Sequence, residues 1–176
     1  EMGTIEKSQQ EMIENIFEFD DNTAGDVMTH RTDVAAVEDT ANVAQVASLA
    51  VETGFSRLPV YQKNLDNIIG VIYAKDLLKL VADKTAIGQD LSQMPVTDYI
   101  RPVIYVPESA GCRALFAKFK ATKTHIAVVV DEYGGTAGLV CMEDILESIV
   151  GDIEDEYDEQ EDEMFFQLGD REYVIE

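Results

Sequence analysis

The chain has 176 residues, of which 46% are hydrophobic, so it can bury one good core or two small lobes that share one, and a chain disordered throughout is excluded. Its formal net charge of −22 disfavours nucleic acid and anionic membrane surfaces as partners, because binding their phosphates requires an excess of cations. Two cysteines without metal-ligand spacing indicate a reducing compartment, and two histidines are too few for a zinc site.

The first predicted element is a helix at about residues 6–19. Ile13, Ile16 and Phe17 recur there at the helical spacing and form one apolar stripe. A polar cluster at residues 20–23 ends this helix. We expect residues 1–22 to be a linker helix that leads into the first folded unit.

The first folded unit is expected at residues 23–84. Asp39 and Thr40 are the expected cap of its first helix, and Gly54 is the expected residue after that helix's last turn. Pro59 inside a strand predicts a sheet edge or a strand start, because proline cannot donate to a ladder. The predicted elements are a strand at 32–37, a helix up to Gly54, strands at 57–61 and 68–73, and a helix at 75–82.

The second folded unit is expected at residues 85–151 and repeats the same order. The apolar run at residues 126–130 is typical of a strand buried on both faces. A turn at residues 131–135 follows it. The other predicted elements are a strand at 105–106, a helix at 109–121, a strand at 136–141 and a helix at 143–150.

The two units are copies of each other. Residues 57–78 return without a gap as residues 125–146, so Gly70 corresponds to Gly138 and Asp76 to Asp144. Two copies are too few for a solenoid but suit a pseudo-two-fold pair, with a cleft between the halves for a small ligand. The predicted fold class is α/β (α+β), built from two β-α-β-β-α units.

Both ends of the chain predict a fragment of a longer protein. The chain begins with Glu1, and it stops inside a strand-like segment. Residues 152–163 carry nine acids in twelve positions, and the piece after them resembles the opening of another domain, so 152–176 is expected to be an acidic linker and a truncated C-terminal domain. The acidic run could sense Mg²⁺, but a solvated charged segment is the simpler interpretation. No apolar run approaches the roughly 20 residues that span a bilayer.

Four segments carry a resemblance to a known family. They are GFSRLPVY at 54–61, VDEYGGTAGLV at 130–140, DVMT at 26–29 and EDILE at 143–147. Together with the repeat, they resemble a tandem pair of cystathionine-β-synthase (CBS) domains, and among these the hemolysin-C/CorC-like magnesium and cobalt efflux proteins and their cyclin-M relatives. The resemblance implies an N-terminal membrane domain, with this pair on the cytoplasmic face and the first helix as the link between them.

The resemblance further implies an adenosine nucleotide between the halves. Asp144 would hold the ribose hydroxyls, Arg57 and Ser56 would meet the phosphates, and Phe55 would stack on the base. The backbone at 126–127 would contact the adenine edge. The implied nucleotide-binding residues are Thr29, Phe55, Ser56, Arg57, Pro59, Ile126, Ala127, Cys141 and Asp144.

Each of these residues also has a purely structural interpretation. An aspartate in the first turn of a helix complements the helix dipole without any ligand. Arg57 could be a surface cation paired with one of many acids, and Phe55 could be ordinary core. The residues alone leave these alternatives open, and the resemblance favours the ligand for Asp144.

Some positions depart from the family pattern. Cys141 stands where the family often has Thr or Ser, and a thiol is a weak hydrogen-bond donor, so one contact worth about 1 kcal/mol is lost. In the mirror half Tyr73 takes this position, where its ring would fill the space of a phosphate, and His125 takes the place of the arginine. We therefore expect a working site at Asp144 and a blocked one at Asp76.

The expected ligand is AMP or ATP, the latter with Mg²⁺ held mostly by phosphate and water rather than by a protein metal site. The resemblance also implies a homodimer that forms through the helices. The favoured function is a regulatory binding module, and a dimerisation scaffold without nucleotide is the alternative. An enzyme is disfavoured, because the sequence offers neither a nucleophile paired with a base nor a phosphate-binding loop before a helix.

Overall fold

The computed structural model describes residues 7–82, 90–151, 166–169 and 172–174. Within them, a helix is followed by two α/β halves and a terminal strand pair. The helices are α1 Lys7–Asp21, α2 Ala24–Val27, α3 Val43–Thr53, α4 Ala74–Ala82, α5 Cys112–Thr122 and α6 Met142–Val150, with 3-10 helices at Leu91–Gln93 and Val96–Tyr99. The strands are β1 Thr29–His30, β2 Val37–Glu38, β3 Arg57–Gln62, β4 Asn64–Tyr73, β5 Ile104–Pro107, β6 Ile126–Val130, β7 Thr136–Cys141, β8 Phe166–Gly169 and β9 Glu172–Val174.

The predicted β-α-β-β-α order is confirmed in both halves. It runs β2-α3-β3-β4-α4 in the first half and β5-α5-β6-β7-α6 in the second. In each half the first two strands are parallel and the last two antiparallel. The predicted burial of β6 is confirmed, since its residues 126–129 are buried and pack in the cores of the module.

Three local predictions can be compared with the structure at the start of the first half. The strand expected at residues 32–37 forms only at Val37–Glu38. Asn42, rather than Asp39 or Thr40, caps α3, because its side chain accepts a hydrogen bond from the backbone of Gln45. Gly54 ends α3 in the left-handed conformation (φ 72°), as predicted.

Pro59 lies in a central strand, so the predicted edge position is wrong. The sheet order is β2-β3-β4, and Pro59 is opposite Val71 of β4. The backbone N–H and C=O of Val71 both bond to Arg101, on the side of β4 away from Pro59. Pro59 therefore belongs to a pair that exchanges no hydrogen bonds, and its missing N–H removes none.

The segment that precedes each half in the sequence packs on the other half. β1 pairs with β7 of the second half, and the backbone of Arg101 pairs with Val71 of the first. Ala24 is buried in the core of the second half, and Val96 is buried in the core of the first. The two halves are thus interlocked rather than merely in contact.

A third core cluster fills the space between the two sheets. Its buried residues come from β4, β6 and β7, and they are Ile68, Val71, Ile126, Val128 and Leu139. At the end of this interface, Arg31 forms an ion pair with Asp66, which also accepts from the backbone of Thr136. The relative placement of the halves is therefore fixed by apolar burial with polar contacts at its margin.

Helix α1 packs on the second half through fewer residues than its pattern suggests. Phe19 is buried in that half's core, and the side-chain amide of Asn15 donates to the carbonyl oxygen of Ile149 at 3.3 Å. The predicted stripe of Ile13, Ile16 and Phe17 is exposed instead. Beyond the second half, β8 and β9 form an antiparallel pair, and the acidic segment 152–163 lies outside the described residues.

Two glycines permit the interlock, and replacing either should loosen it. A Cβ at Gly138 would lie 2.3 Å from the carbonyl oxygen of Thr29, and one at Gly70 would lie 2.5 Å from that of Arg101. We expect Gly138→Ala to lower the free energy of unfolding by about 1–3 kcal/mol, because neither backbone can yield freely. Urea unfolding followed by circular dichroism measures this.

Gly111→Ala is the control, because a Cβ on Gly111 would meet nothing within 4 Å and the φ of this residue is −64°. It should cost under about 1 kcal/mol, the effect of alanine at a helix N-cap. Equal losses at Gly138 and Gly111 would contradict the close-approach explanation.

Candidate functional site

The interlock creates a cleft in the second half. The cleft has a volume of about 380 Å³ and lies between the end of α2, the start of β1 and one side of α6. Strand β1 reaches this place because Thr29 is paired with Leu139 of β7, and β7 leads directly into α6. The lining residues are Val27, Met28, Thr29, Asp144, Glu147, Ser148 and Gly151.

Asp144 provides the half-buried carboxylate of the cleft. Its Oδ2 accepts a hydrogen bond of 2.7 Å from the backbone N–H of Cys141, at the start of α6. Burial raises the pKa of Asp144, the Cys141 hydrogen bond opposes this, and the charges of Glu143 and Glu147 raise it further. The purely structural interpretation of Asp144 as a first-turn carboxylate is thus realised, while Oδ1 accepts no hydrogen bond from the described residues and can serve as an acceptor for a ligand.

Arg57 links the first half to this end of α6. Its Nη1 lies 2.9 Å from Oε1 of Glu143, the residue before Asp144. The side chain is 19% exposed, and its Nε is buried without a hydrogen-bond partner among the described residues. Arg57 is therefore paired with an acid, as its purely structural interpretation expected. The Arg57–Glu143 pair, however, connects the two halves next to Asp144.

Cys141 is the N-cap residue of α6 and is half-buried. Burial, together with the charges of Asp144 and Glu143, raises the pKa of its thiol to about 12, although the charge of Arg57 opposes the shift. The thiol is thus protonated at neutral pH. It offers a weak hydrogen-bond donor and no nucleophile.

The remaining predicted residues divide into exposed and buried groups. Thr29 is exposed at the cleft, and Phe55 is 49% exposed, so the interpretation of Phe55 as core is wrong. The Ser56 side chain is exposed, while its carbonyl accepts from Ala74. Three predicted residues lie buried within the strands, namely Pro59, Ile126 and Ala127. Of all the predicted residues, only Thr29 and Asp144 line the cleft.

Sequence reasoning missed two cleft residues on α6. Glu147 and Ser148 line the cleft beside Asp144. They follow Asp144 by three and four residues, which is the spacing of neighbours on one helix face. This spacing alone could have predicted that Glu147 and Ser148 lie beside Asp144.

The described residues hold no group of His, Cys, Asp and Glu side chains that could bind a metal ion. Nor does any helix within the described ranges have the length and apolarity to cross a membrane.

Comparisons with known proteins agree with this architecture. The CBS-domain profile matches residues 24–83 and 93–151. A solved structure of the CBS domain of a bacterial CNNM/CorC family Mg²⁺ transporter in complex with ATP is 40% identical, with a TM-score of 0.75, covering 82% of this chain and 99% of that one. The chain is a pair of CBS domains of the CNNM/CorC family. The resemblance inferred from the sequence is thereby confirmed.

Three further proteins are similar to this CBS pair. A UPF0053 protein of Mycobacterium bovis is 39% identical over 98% of this chain, and the magnesium and cobalt efflux protein CorC of Vibrio cholerae is 34% identical over 97%. The chain spans 39% and 57% of the length of these two proteins. A CBS-domain pair with bound AMP from Klebsiella pneumoniae is 25% identical, with a TM-score of 0.62, covering 74% of this chain and 99% of that one.

The mirror position in the first CBS domain contains a guanidinium group. Arg101 stands where the repeat would place Thr29, and its Nε and Nη2 both lie 2.7 Å from Oδ2 of Asp76. Lys79 lies 3.5 Å from the same carboxylate, and the ring of Tyr73 lies under Arg101, 5.1 Å from its Cζ. Sequence reasoning named Tyr73 as the obstacle and missed Arg101.

The raised pKa of Asp144 predicts a characteristic pH dependence. A carboxylate with a raised folded-state pKa contributes stability below its unfolded-state pKa and loses it as pH rises through the folded-state value. The stability of Asp144→Asn relative to the unmodified chain should therefore increase as pH rises from about 3 to 7. Urea unfolding at a series of pH values measures this.

Asp26→Asn is the matched control of opposite sign. Hydrogen bonds from the Thr23 side chain and backbone lower the pKa of Asp26. The Asp26 carboxylate therefore contributes to folding stability above its unfolded-state pKa, and this contribution is lost as pH falls through the folded-state pKa. The relative stability of Asp26→Asn should thus decrease as pH rises, and parallel trends for the two variants would refute the assignment.

Proposed function

We propose that this CBS pair is the regulatory adenosine-nucleotide-binding module of a membrane protein that transports magnesium or cobalt. The observation that carries the proposal is the half-buried Asp144 carboxylate, which faces Thr29 across a cleft formed only because the halves are interlocked. A carboxylate with a free oxygen is the group that a ribose diol needs, since both hydroxyls can donate to it.

The surroundings of Asp144 favour a ligand with an anionic tail. Arg57 bonds to Glu143 through Nη1, and the rest of its forked guanidinium group can donate to a phosphate. The exposed ring of Phe55 offers a surface for base stacking. The solved structures of a CNNM/CorC CBS domain with ATP and of a CBS-domain pair with AMP support either nucleotide as ligand.

Magnesium would come with the nucleotide. The described residues offer no cluster of metal ligands, whereas phosphate oxygens and water suit Mg²⁺ well. A Mg²⁺ ion on the phosphates would also reduce their repulsion from a chain of net charge −22.

Regulation requires that the nucleotide bind one arrangement of the whole protein better than another. We propose helix α1 as the link to a membrane domain and the cytoplasmic face of the membrane as the location of the module. The link packs on α5 and α6, and α6 also carries Asp144. Occupancy of the cleft would therefore act on the helix against which the link rests.

The nucleotide test is calorimetric titration of the chain with ATP and with AMP, each with and without Mg²⁺. We expect about one equivalent per chain, loss of binding in Asp144→Ala, and retained binding in Asp76→Ala. The second variant is the matched control, because Asp76 is the repeat counterpart of Asp144 but is already occupied by Arg101. Absence of binding under all conditions would favour the alternative, a dimerisation scaffold without nucleotide.

The helix faces support a homodimer as the second element of the proposal. Val51 on α3 is 85% exposed and Leu78 on α4 is 67% exposed, and both line an apolar groove between these helices. Helices α1 and α6 add exposed apolar residues in the other half, namely Ile13, Ile16, Phe17, Leu146 and Val150. Apolar helix faces of this extent are typical of association surfaces.

Sedimentation equilibrium tests the homodimer. We expect a dimer for the unmodified chain and a shift towards monomer for Val51→Asp with Leu78→Asp, because dimerisation would bury both charges. Tyr133→Asp, at an exposed loop residue, is the control and should leave the dimer unchanged. A monomeric unmodified chain at micromolar concentration would refute this element.

A further inference from the structure

Each CBS domain carries one carboxylate in the first turn of the helix that follows its last strand. Asp76 of α4 corresponds in this way to Asp144 of α6. The segments beside the two carboxylates are equivalent as well, since Thr29 pairs with β7 and Arg101 pairs with the corresponding position of β4. Arg101 therefore lies relative to Asp76 as Thr29 lies relative to Asp144.

The side chains at these two equivalent positions differ in length and charge. Thr29 is small and leaves an open cleft at Asp144. Arg101 instead extends a guanidinium group, whose Nε and Nη2 both lie 2.7 Å from Oδ2 of Asp76. The Nζ of Lys79 lies 3.5 Å from the other oxygen, and the Asp76 side chain is only 15% exposed. The guanidinium group thus fills the place at Asp76 that is open at Asp144.

The guanidinium group is held in this place from both ends of its side chain. The backbone N–H and C=O of Arg101 both bond to Val71, and the Tyr73 ring lies 5.1 Å from its Cζ. Because Arg101 is part of the same chain, its effective concentration at Asp76 is on the order of millimolar or higher. A free ligand at micromolar concentration therefore competes poorly with it.

We infer that the first CBS domain contains a second nucleoside site at Asp76, and that the Arg101 side chain is its built-in occupant. This rests on the proposed function, because the class of ligand follows from the equivalence with Asp144, and it adds a site to that function. A ribose diol and the guanidinium group need the same carboxylate oxygens, so they exclude each other. The first domain is occupied whether or not nucleotide is present, and the module senses nucleotide through the second domain alone.

The test is equilibrium dialysis with adenosine, which has the ribose diol but no phosphate to meet the Tyr73 ring. In the Asp144→Ala variant we expect no bound adenosine. Adding Arg101→Thr, which reproduces the threonine at position 29, should give about one equivalent per chain. Adding Asp76→Ala to this double variant should abolish the binding again.

Arg113→Thr in the Asp144→Ala background is the matched control. Arg113 also pairs with an aspartate, Asp20, but at a position with no counterpart in the cleft, so this variant should bind no adenosine. Circular dichroism checks that each variant is folded. A folded Asp144→Ala, Arg101→Thr variant without bound adenosine, or equal binding by the Arg113→Thr control, would overturn the second site.

Hydrogen exchange of the unmodified chain tests the occupancy of the site without any substitution. Saturating ATP with Mg²⁺ should slow exchange at the start of α6 and leave exchange at the start of α4 unchanged, because Arg101 holds Asp76 in both states. Equal slowing in α4 and α6 would overturn the inference, since nucleotide would then reach Asp76 past Arg101. Absence of nucleotide binding by the unmodified chain would instead overturn the proposed function at Asp144.

Discussion

The architecture depends on two close approaches between backbones, at Gly70 and Gly138. A side chain at Gly138 would collide with the carbonyl of Thr29, and one at Gly70 with that of Arg101. Because both positions are glycine, each CBS domain accepts the leading segment of the other, and Ala24 and Val96 are buried in exchanged cores. The cleft follows from this exchange, since Thr29 belongs to the first repeat in sequence and lies against α6 of the second.

The two related positions of the pair have diverged through a few substitutions. On one side, Asp144 lies beside a threonine and keeps one carboxylate oxygen as an acceptor. On the other, Arg101 occupies the threonine position and holds Asp76 with two nitrogens. A carboxylate held by a guanidinium is already satisfied, so a ribose would have to displace a charge-assisted contact there. The asymmetry is therefore electrostatic as well as steric.

The sequence was sufficient for the repeat, the order of elements and the family, because these depend on periodicity and on spacing that survives without a gap. It predicted Asp144 and Thr29 at the cleft, but it assigned Thr29 to the first unit, since an exchange of segments leaves no local signal. The cap at Asn42 and the central position of Pro59 depended on register. The Arg101–Asp76 pair was missed because its two members are 25 residues apart and meet only after folding.

The most direct test of the account is a crystal structure of the chain grown with ATP and Mg²⁺. The account predicts one nucleotide per chain, with its ribose hydroxyls on the Asp144 carboxylate, its phosphates directed towards Arg57, and Arg101 still bound to Asp76. A nucleotide on Asp76 with Arg101 displaced, or a cleft at Asp144 that contains no nucleotide at saturating concentration, would contradict it.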